Sequence, residues 1–362
     1  MNKKIIFFMP SMEGGGVEKN LVILINFLSN KYKNIKLISF DEFYKKKISK
    51  KIIFKSFTKK PIKVNKYFKY FICLFLLLKE IILNDAIVFS FQANIYCLMI
   101  CKIFNKKIIV RSNTSPSGWT NNIFKKFIYS YFIKKSDQLI VNSYSFKREM
   151  KKNFNVNSVT IYNPLNIKEI KENAKEKIDK NIYKKKHINI INVGRLTDQK
   201  DQLTLLKAIK IIPKNIKINL LIIGYGRNKN NLISFIKKNK MSNKVNLINE
   251  LNNPYKFISK FDLFILTSKY EGLPNVLLES LALKTPIIST DCPTGPKEIL
   301  KNNKFGTLFN VGDHATLSSI ILKYKSKKKN FLNKANLGYK SLNRFDYNLN
   351  CLKYYNEIKK LI

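Results

Sequence analysis

The chain is poor in acid. Its 362 residues carry 23 Asp and Glu against 68 Lys and Arg, a formal net charge of +45. Such an excess ordinarily points to nucleic acid or an anionic membrane surface. The lysines are nevertheless spread along the whole chain among many Asn and Ile, and the short runs Lys45 to Lys47, Lys184 to Lys186 and Lys327 to Lys329 fit a solvated surface. Nucleic-acid binding would require basic and aromatic residues gathered on one element or in a recognisable module. Neither is present, so no nucleic-acid partner is expected.

Metal-ligating residues are also scarce. The two histidines, His187 and His314, lie far apart in sequence, and the five cysteines (73, 97, 101, 292 and 351) form no C-x-x-C pair. A zinc centre is therefore not expected. Cys97 and Cys101 fall four apart on an expected helix, where packing in the core accounts for them. An odd count without a disulfide framework suits a reducing compartment. The most apolar run, Phe71 to Leu78, falls short of the roughly 18 to 20 residues a membrane span needs and has Lys on both flanks. It suits a buried helix or one lying on a membrane. The N-terminus MNKKIIFFMPSMEGGG passes from a short apolar stretch straight into glycines, unlike a signal peptide. A cytoplasmic protein is expected.

Hydrophobic residues make up 45% of the chain, enough for a core, and the length favours two domains. Short apolar strands alternate with helices throughout. Strands are expected at 4–9, 35–40, 86–91, 107–111, 138–142 and 159–162, with helices at 17–29, 67–83 and 123–135 among them. A charged stretch of low apolar content, Lys168 to Lys186, interrupts the alternation and is taken as the join. Strands then resume at 188–193, 218–223, 245–248, 263–266 and 286–289, and the chain ends in a helix over 347–362. The pattern is that of α/β domains with parallel sheets covered on both faces. Glycine is scarce, 12 in all against an ordinary share of roughly 7%, and the few present mark turns after strands: Gly14 to Gly16, Gly194, Gly224 and Gly226. Ligands of open parallel sheets bind at those strand ends.

The segment YEGLPNVLLESLALKTPIISTDCPTGPKEIL, Tyr270 to Leu300, is the most informative. It puts Glu271 and Glu279 on either side of a turn, Gly272, Leu273, Pro274 and Asn275, that opens an apolar helix continuing through Val276. A helix N-terminus presents unpaired N–H groups and partial positive charge, which suits a diphosphate. Pro274 is expected near the first helical position. An ionised carboxylate offers acceptors for a vicinal diol, so the two glutamates could hold a ribose and a hexose. The alternative for each glutamate is an ordinary loop or solvated helix position.

The pattern E-G-x-P-N-x-x-x-E followed by P-x-x-x-T-D-C-x-x-G-P-x-E-I resembles the donor site of glycosyltransferase family 4, and 262–300 matches it without a gap. The resemblance implies a GT-B fold: two Rossmann-like domains with parallel sheets facing each other across a cleft. It implies an acceptor-side domain over 1–170, joined by the helix 347–362, and a nucleotide-sugar domain over 187–346. The implied reaction is retaining, metal-independent transfer of a hexose or N-acetylhexosamine, UDP-activated, to a glycan or lipid-linked acceptor in surface polysaccharide or lipopolysaccharide assembly. No cofactor is implied. Arg195 and Lys200 in GRLTDQK match the family's phosphate-binding pair. Glu271 would position the hexose and Glu279 the ribose. Gly15 and Gly16 match the N-domain loop facing the donor phosphates, although a simple tight turn also explains them.

The chain departs from the family where Asn113 stands in the acceptor-side loop, a place many members give to His. Lys284 occupies a position where Gly is frequent, and Asp313 is the natural N-cap beside His314. An epimerase or phosphorylase of similar architecture stays open beside the transferase. So does an anionic membrane surface as a partner, since the helices over 67–83 and 122–135 mix Lys with aromatic and aliphatic residues.

Overall fold

The computed structural model describes residues 3–114, 122–179, 182–249 and 253–362. It forms two compact units, Met1–Pro164 with Tyr347–Ile362, and Leu165–Asp346.

The first unit is built on a parallel sheet of seven strands in the order β3-β2-β1-β4-β5-β6-β7. These are β1 (Lys4–Phe8), β2 (Ile35–Asp41), β3 (Ile53–Thr58), β4 (Ala86–Ser90), β5 (Ile108–Ser112), β6 (Gln138–Val141) and β7 (Val159–Thr160). The central strands are apolar runs because helices cover both faces, so no polar alternation is needed. On one face Ile5 and Phe7 of β1 pack under α1 (Gly16–Leu28); on the other Ile6 and Phe8 pack under α2 (Lys66–Leu83), α3 (Asn94–Ile103), α4 (Ile123–Ile133) and α5 (Tyr144–Phe154). Strand β3 was absent from the sequence expectation. It is an edge strand whose residues alternate between exposed and half-buried, and its lysine-rich setting hides that period.

The second unit has six parallel strands in the order β10-β9-β8-β11-β12-β13. In chain order the elements are α6 (Ile167–Asn173), β8 (Ile188–Val193), α7 (Gln202–Lys210), β9 (Ile218–Ile223), α8 (Lys229–Lys238), β10 (Val245–Ile248), α9 (Tyr255–Ile258), β11 (Leu263–Leu266), α10 (Asn275–Ala282), β12 (Ile287–Thr290), α11 (Gly295–Ile299), β13 (Thr307–Phe309), α12 (His314–Ser326) and α13 (Lys328–Lys340). The charged stretch taken as the join holds most of α6. That helix is capped by Asn166, buries Ile170 and packs on α9 and α10, so it is part of the second unit from Leu165 onward. One buried side chain in a charged helix leaves little apolar signal to see in the sequence.

The last helix, α14 (Tyr347–Lys359), returns to the first unit and packs on α1. It is anchored at Arg111 of β5, whose side chain is buried. Arg111 donates from Nε to the Tyr354 hydroxyl at 2.7 Å, from Nη2 to Asn163 Oδ1 at 2.6 Å and from Nη1 to Asn113 Oδ1, and its guanidinium lies over the Phe91 ring. These acceptors are all neutral, so every one of them matters to a buried cation. Replacing Tyr354 by Phe is expected to cost about 1.5 to 3 kcal/mol, the range for a hydrogen bond to a charged group. Urea denaturation should show the lower midpoint with an unchanged slope.

Candidate functional site

Strand order in the second unit reverses between β8 and β11, and the loops leaving these two strands carry the motif residues. A crevice at the carboxyl ends of strands opens where the order reverses. From β8 come Arg195 and Lys200; from β11 comes Glu271; from α10, which follows that loop, comes Glu279.

Lys200 and Glu271 meet directly. The Lys200 ammonium donates to Glu271 Oε1 at 2.5 Å, and the Ser268 hydroxyl donates to the same oxygen at 2.6 Å. Both charged side chains are largely buried, 15% and 7% exposed. Such a pair is retained only where geometry is good and further hydrogen bonds share the load, as Ser268 does here. Arg195 is exposed at the strand end, and its carbonyl accepts from Gln202 Nε2 at 3.0 Å, which ties the loop to α7.

The loops are strapped to one another. Thr267 Oγ1 donates to the Lys200 carbonyl at 3.0 Å, Lys269 N donates to the Gln199 carbonyl at 2.8 Å and Gln199 Nε2 donates to the Tyr270 carbonyl at 3.0 Å. On the other side Glu271 N donates to the Pro293 carbonyl at 2.6 Å, Thr294 N donates to the Glu271 carbonyl at 3.1 Å and Thr294 Oγ1 donates to the Gly272 carbonyl at 3.2 Å. Gly295 makes this approach sterically feasible: a Cβ there would lie 2.1 Å from the Gly272 carbonyl oxygen and 2.9 Å from Leu273 Cα. The Cys-Pro-Thr-Gly part of the motif is thus the floor on which the Glu-Gly-Leu-Pro turn rests.

Pro274 is the N-cap of α10 and Asn275 the first helical residue, one position later than the sequence suggested. Leu273 and Val276 flank this turn, with Leu273 buried. Glu279 is buried and accepts from the Tyr255 hydroxyl of α9 at 3.2 Å. Lys284, just past α10, has φ +57°, the left-handed conformation that favours glycine, which accounts for the family's preference there.

Gly15 and Gly16 lie in the first unit. Gly15 is the N-cap of α1, Gly14 has φ +92°, and Glu18 folds back so that Oε1 accepts from Glu13 N at 3.3 Å. A carboxylate therefore already sits by this helix terminus. Asn113, also in the first unit, accepts from Arg111 and donates from Nδ2 to the Phe91 carbonyl at 2.9 Å. The rest of its loop, 115–121, lies outside the described residues. Sequence reasoning passed over Arg111, Ser268 and Tyr255; a lone Arg inside a strand as apolar as β5 was the available signal for the first.

Residues 173–341 match the family described as Glycosyl transferases group 1. The matched stretch lies within the second unit. An uncharacterised glycosyltransferase of Methanocaldococcus jannaschii is 34% identical over 218 residues, 56% of this chain and 53% of that protein. This chain is also 28% identical, over 97% of its length and 99% of the relative's, to the Campylobacter jejuni N-acetylgalactosamine-N,N'-diacetylbacillosaminyl-diphospho-undecaprenol 4-alpha-N-acetylgalactosaminyltransferase. Among solved structures, Anabaena HepE in complex with UDP-glucose superposes with a TM-score of 0.80 at 16% identity, covering 99% of each chain. The fold is GT-B.

Cys292, the first residue of the Cys-Pro-Thr-Gly floor, is buried, and burial above all, with the Glu271 carboxylate second, pushes its thiol up to about 12. The protein holds no reactive thiol at that position near neutrality. A folded chain retains this proton where an unfolded one, with its thiol near 9.0, releases it. The resulting stabilisation is whole below the unfolded value and fades as pH rises through the folded one. Iodoacetamide at mildly alkaline pH is expected to leave Cys292 unmodified in the native protein and to label it after unfolding, as peptide mass spectrometry would show. Gly295→Ala is expected to cost about 1 to 3 kcal/mol by overpacking against Gly272, seen as a lowered melting midpoint.

Proposed function

We propose that this glycosyltransferase moves a hexose or N-acetylhexosamine from a UDP-activated sugar to a glycan or lipid-linked glycan acceptor in the assembly of bacterial surface polysaccharide. The observation that carries this reading is the meeting of Lys200 and Glu271 at the reversal of strand order, beside a helix N-terminus and an exposed arginine. Lipid-linked acceptors are supported by the Campylobacter relative, whose name specifies a diphospho-undecaprenol substrate, and a UDP-sugar by the HepE complex.

Arg195 and Lys200 bind the diphosphate, Arg by its fork and Lys as a point charge, together with the backbone of Gly272, Leu273, Pro274, Asn275 and Val276. Glu271 accepts from hexose hydroxyls and Glu279 from the ribose. Gly15 and Gly16 contribute to donor binding, and Asn113 to acceptor contacts. The C1–O bond to the diphosphate breaks as the acceptor oxygen bonds to C1 on the same face, and the leaving phosphate takes the acceptor proton. This retaining course suits a chain whose only histidines are His187 and His314. The two cations stabilise the charge that grows on the leaving group, so no metal or other cofactor is assigned. A cytoplasmic setting is supported by five free, buried thiols.

UDP is expected to raise the melting temperature of the wild-type protein. Glu271→Gln and Lys200→Gln should each lower transfer, followed as released UDP, by about a hundredfold or more. Either single change leaves a buried charge unpaired and costs up to about 3 kcal/mol, whereas the double variant should regain stability but not activity. Full activity in the double variant would overturn these roles. Sugar-phosphate formation that depends on inorganic phosphate would favour a phosphorylase instead.

A further inference from the structure

Helix α2 is apolar on nearly every side, yet it buries only the stripe Lys69, Cys73, Leu77 and Ile81 against the sheet. The opposite stripe, Phe68, Phe71, Phe75 and Ile82, faces outward, with Phe71 70% exposed. The spacing of three, four and seven residues keeps these side chains on one side of the helix. Its neighbour α3 buries Cys97, Leu98 and Cys101 and presents Tyr96, Met99 and Ile103. Next to α3, α4 buries Tyr129 and Ile133 and presents Ile123, Phe124, Phe127 and Tyr131, with Ile123 83% exposed. The three helices rest side by side on one core, so their outward stripes lie on one face. Among the described residues, every exposed Phe and Tyr belongs to the first unit, and the exposed large hydrophobic side chains of the second are aliphatic. A general excess of lysine and isoleucine does not explain that division.

Cations frame the apolar ridges. Lys66 sits over Tyr67, Lys79 over Phe75 and Lys135 over Tyr131, and Lys125 and Lys126 stand between the α4 aromatics. Glu80 is the single acidic residue of the three helices, and it is already paired to Lys36. Among the described residues no helix is long and apolar enough to cross a membrane. Apolar and aromatic side chains ringed by lysine, on helices that lack the combined length and apolarity of a span, suit a surface that lies in the headgroup region of an anionic bilayer.

We propose that the outer face of α2, α3 and α4 docks this protein onto an anionic lipid bilayer, with the aromatic ridges inserted and the lysines on the phosphates. Binding of this kind stands independently of the transferase reading, because it is measured without donor or acceptor. Purified protein is expected to sediment with phosphatidylcholine vesicles containing phosphatidylglycerol and far less with phosphatidylcholine alone. The paired variants Phe71→Ser/Phe75→Ser and Phe124→Ser/Phe127→Ser should each weaken partitioning by about tenfold or more with an unchanged melting temperature, since exposed side chains add little to the fold. Lys125→Ala/Lys126→Ala should weaken binding only to the anionic vesicles. No sedimentation with either vesicle would overturn the proposal. So would wild-type binding by both aromatic variants, which would leave bulk charge as the cause. A lipid-free dimer that Phe71→Ser/Phe75→Ser dissociates would assign the face to a second copy of the chain.

Discussion

The buried pair of Lys200 and Glu271 is the contact on which the site depends. The loops that leave two paired parallel strands at a reversal of strand order part from one another, and nothing in the sheet ladder bridges them. The ion pair does so at 2.5 Å, helped by Ser268, and the backbone straps from Thr267, Gln199 and Thr294 hold the turn in register. Removing one charge would leave the other buried, so the loops and their chemistry are coupled. In the proposed diphosphate-binding role, Lys200 would act as a cation already oriented by a carboxylate.

The first unit uses a different device. Among the described residues Arg111 is buried with neutral acceptors alone, and one of these belongs to α14, the last helix of the chain. The C-terminal helix is therefore secured by satisfying a buried cation, as well as by apolar packing of Cys351, Tyr354 and Ile358. Asn113 shares the same guanidinium, which links the mouth of β5 to the terminal helix.

The charge of the chain divides in the same way between general and local roles. Most lysines are solvated, but those around α2 and α4 neighbour aromatic rings that point outward. An aromatic side chain left in water costs free energy that packing would otherwise recover. A partner that is apolar in its interior and anionic at its surface removes that cost.

Much of this architecture was legible in the residues themselves. Strands β8, β9, β10 and β11 coincide with the apolar runs expected for them, because strands covered on both faces need no alternation. The spacing of Arg195, Lys200, Glu271 and Glu279 and the turn chemistry around Pro274 were likewise sequence properties. Tertiary structure alone decided that Lys200 and Glu271 pair, that Gly295 supports Gly272 and that Arg111 is buried, since each joins residues distant in the chain. It also decided which side of α2 faces outward. Period cannot show this for a helix apolar all round; only the sheet beneath it selects the stripe that is buried.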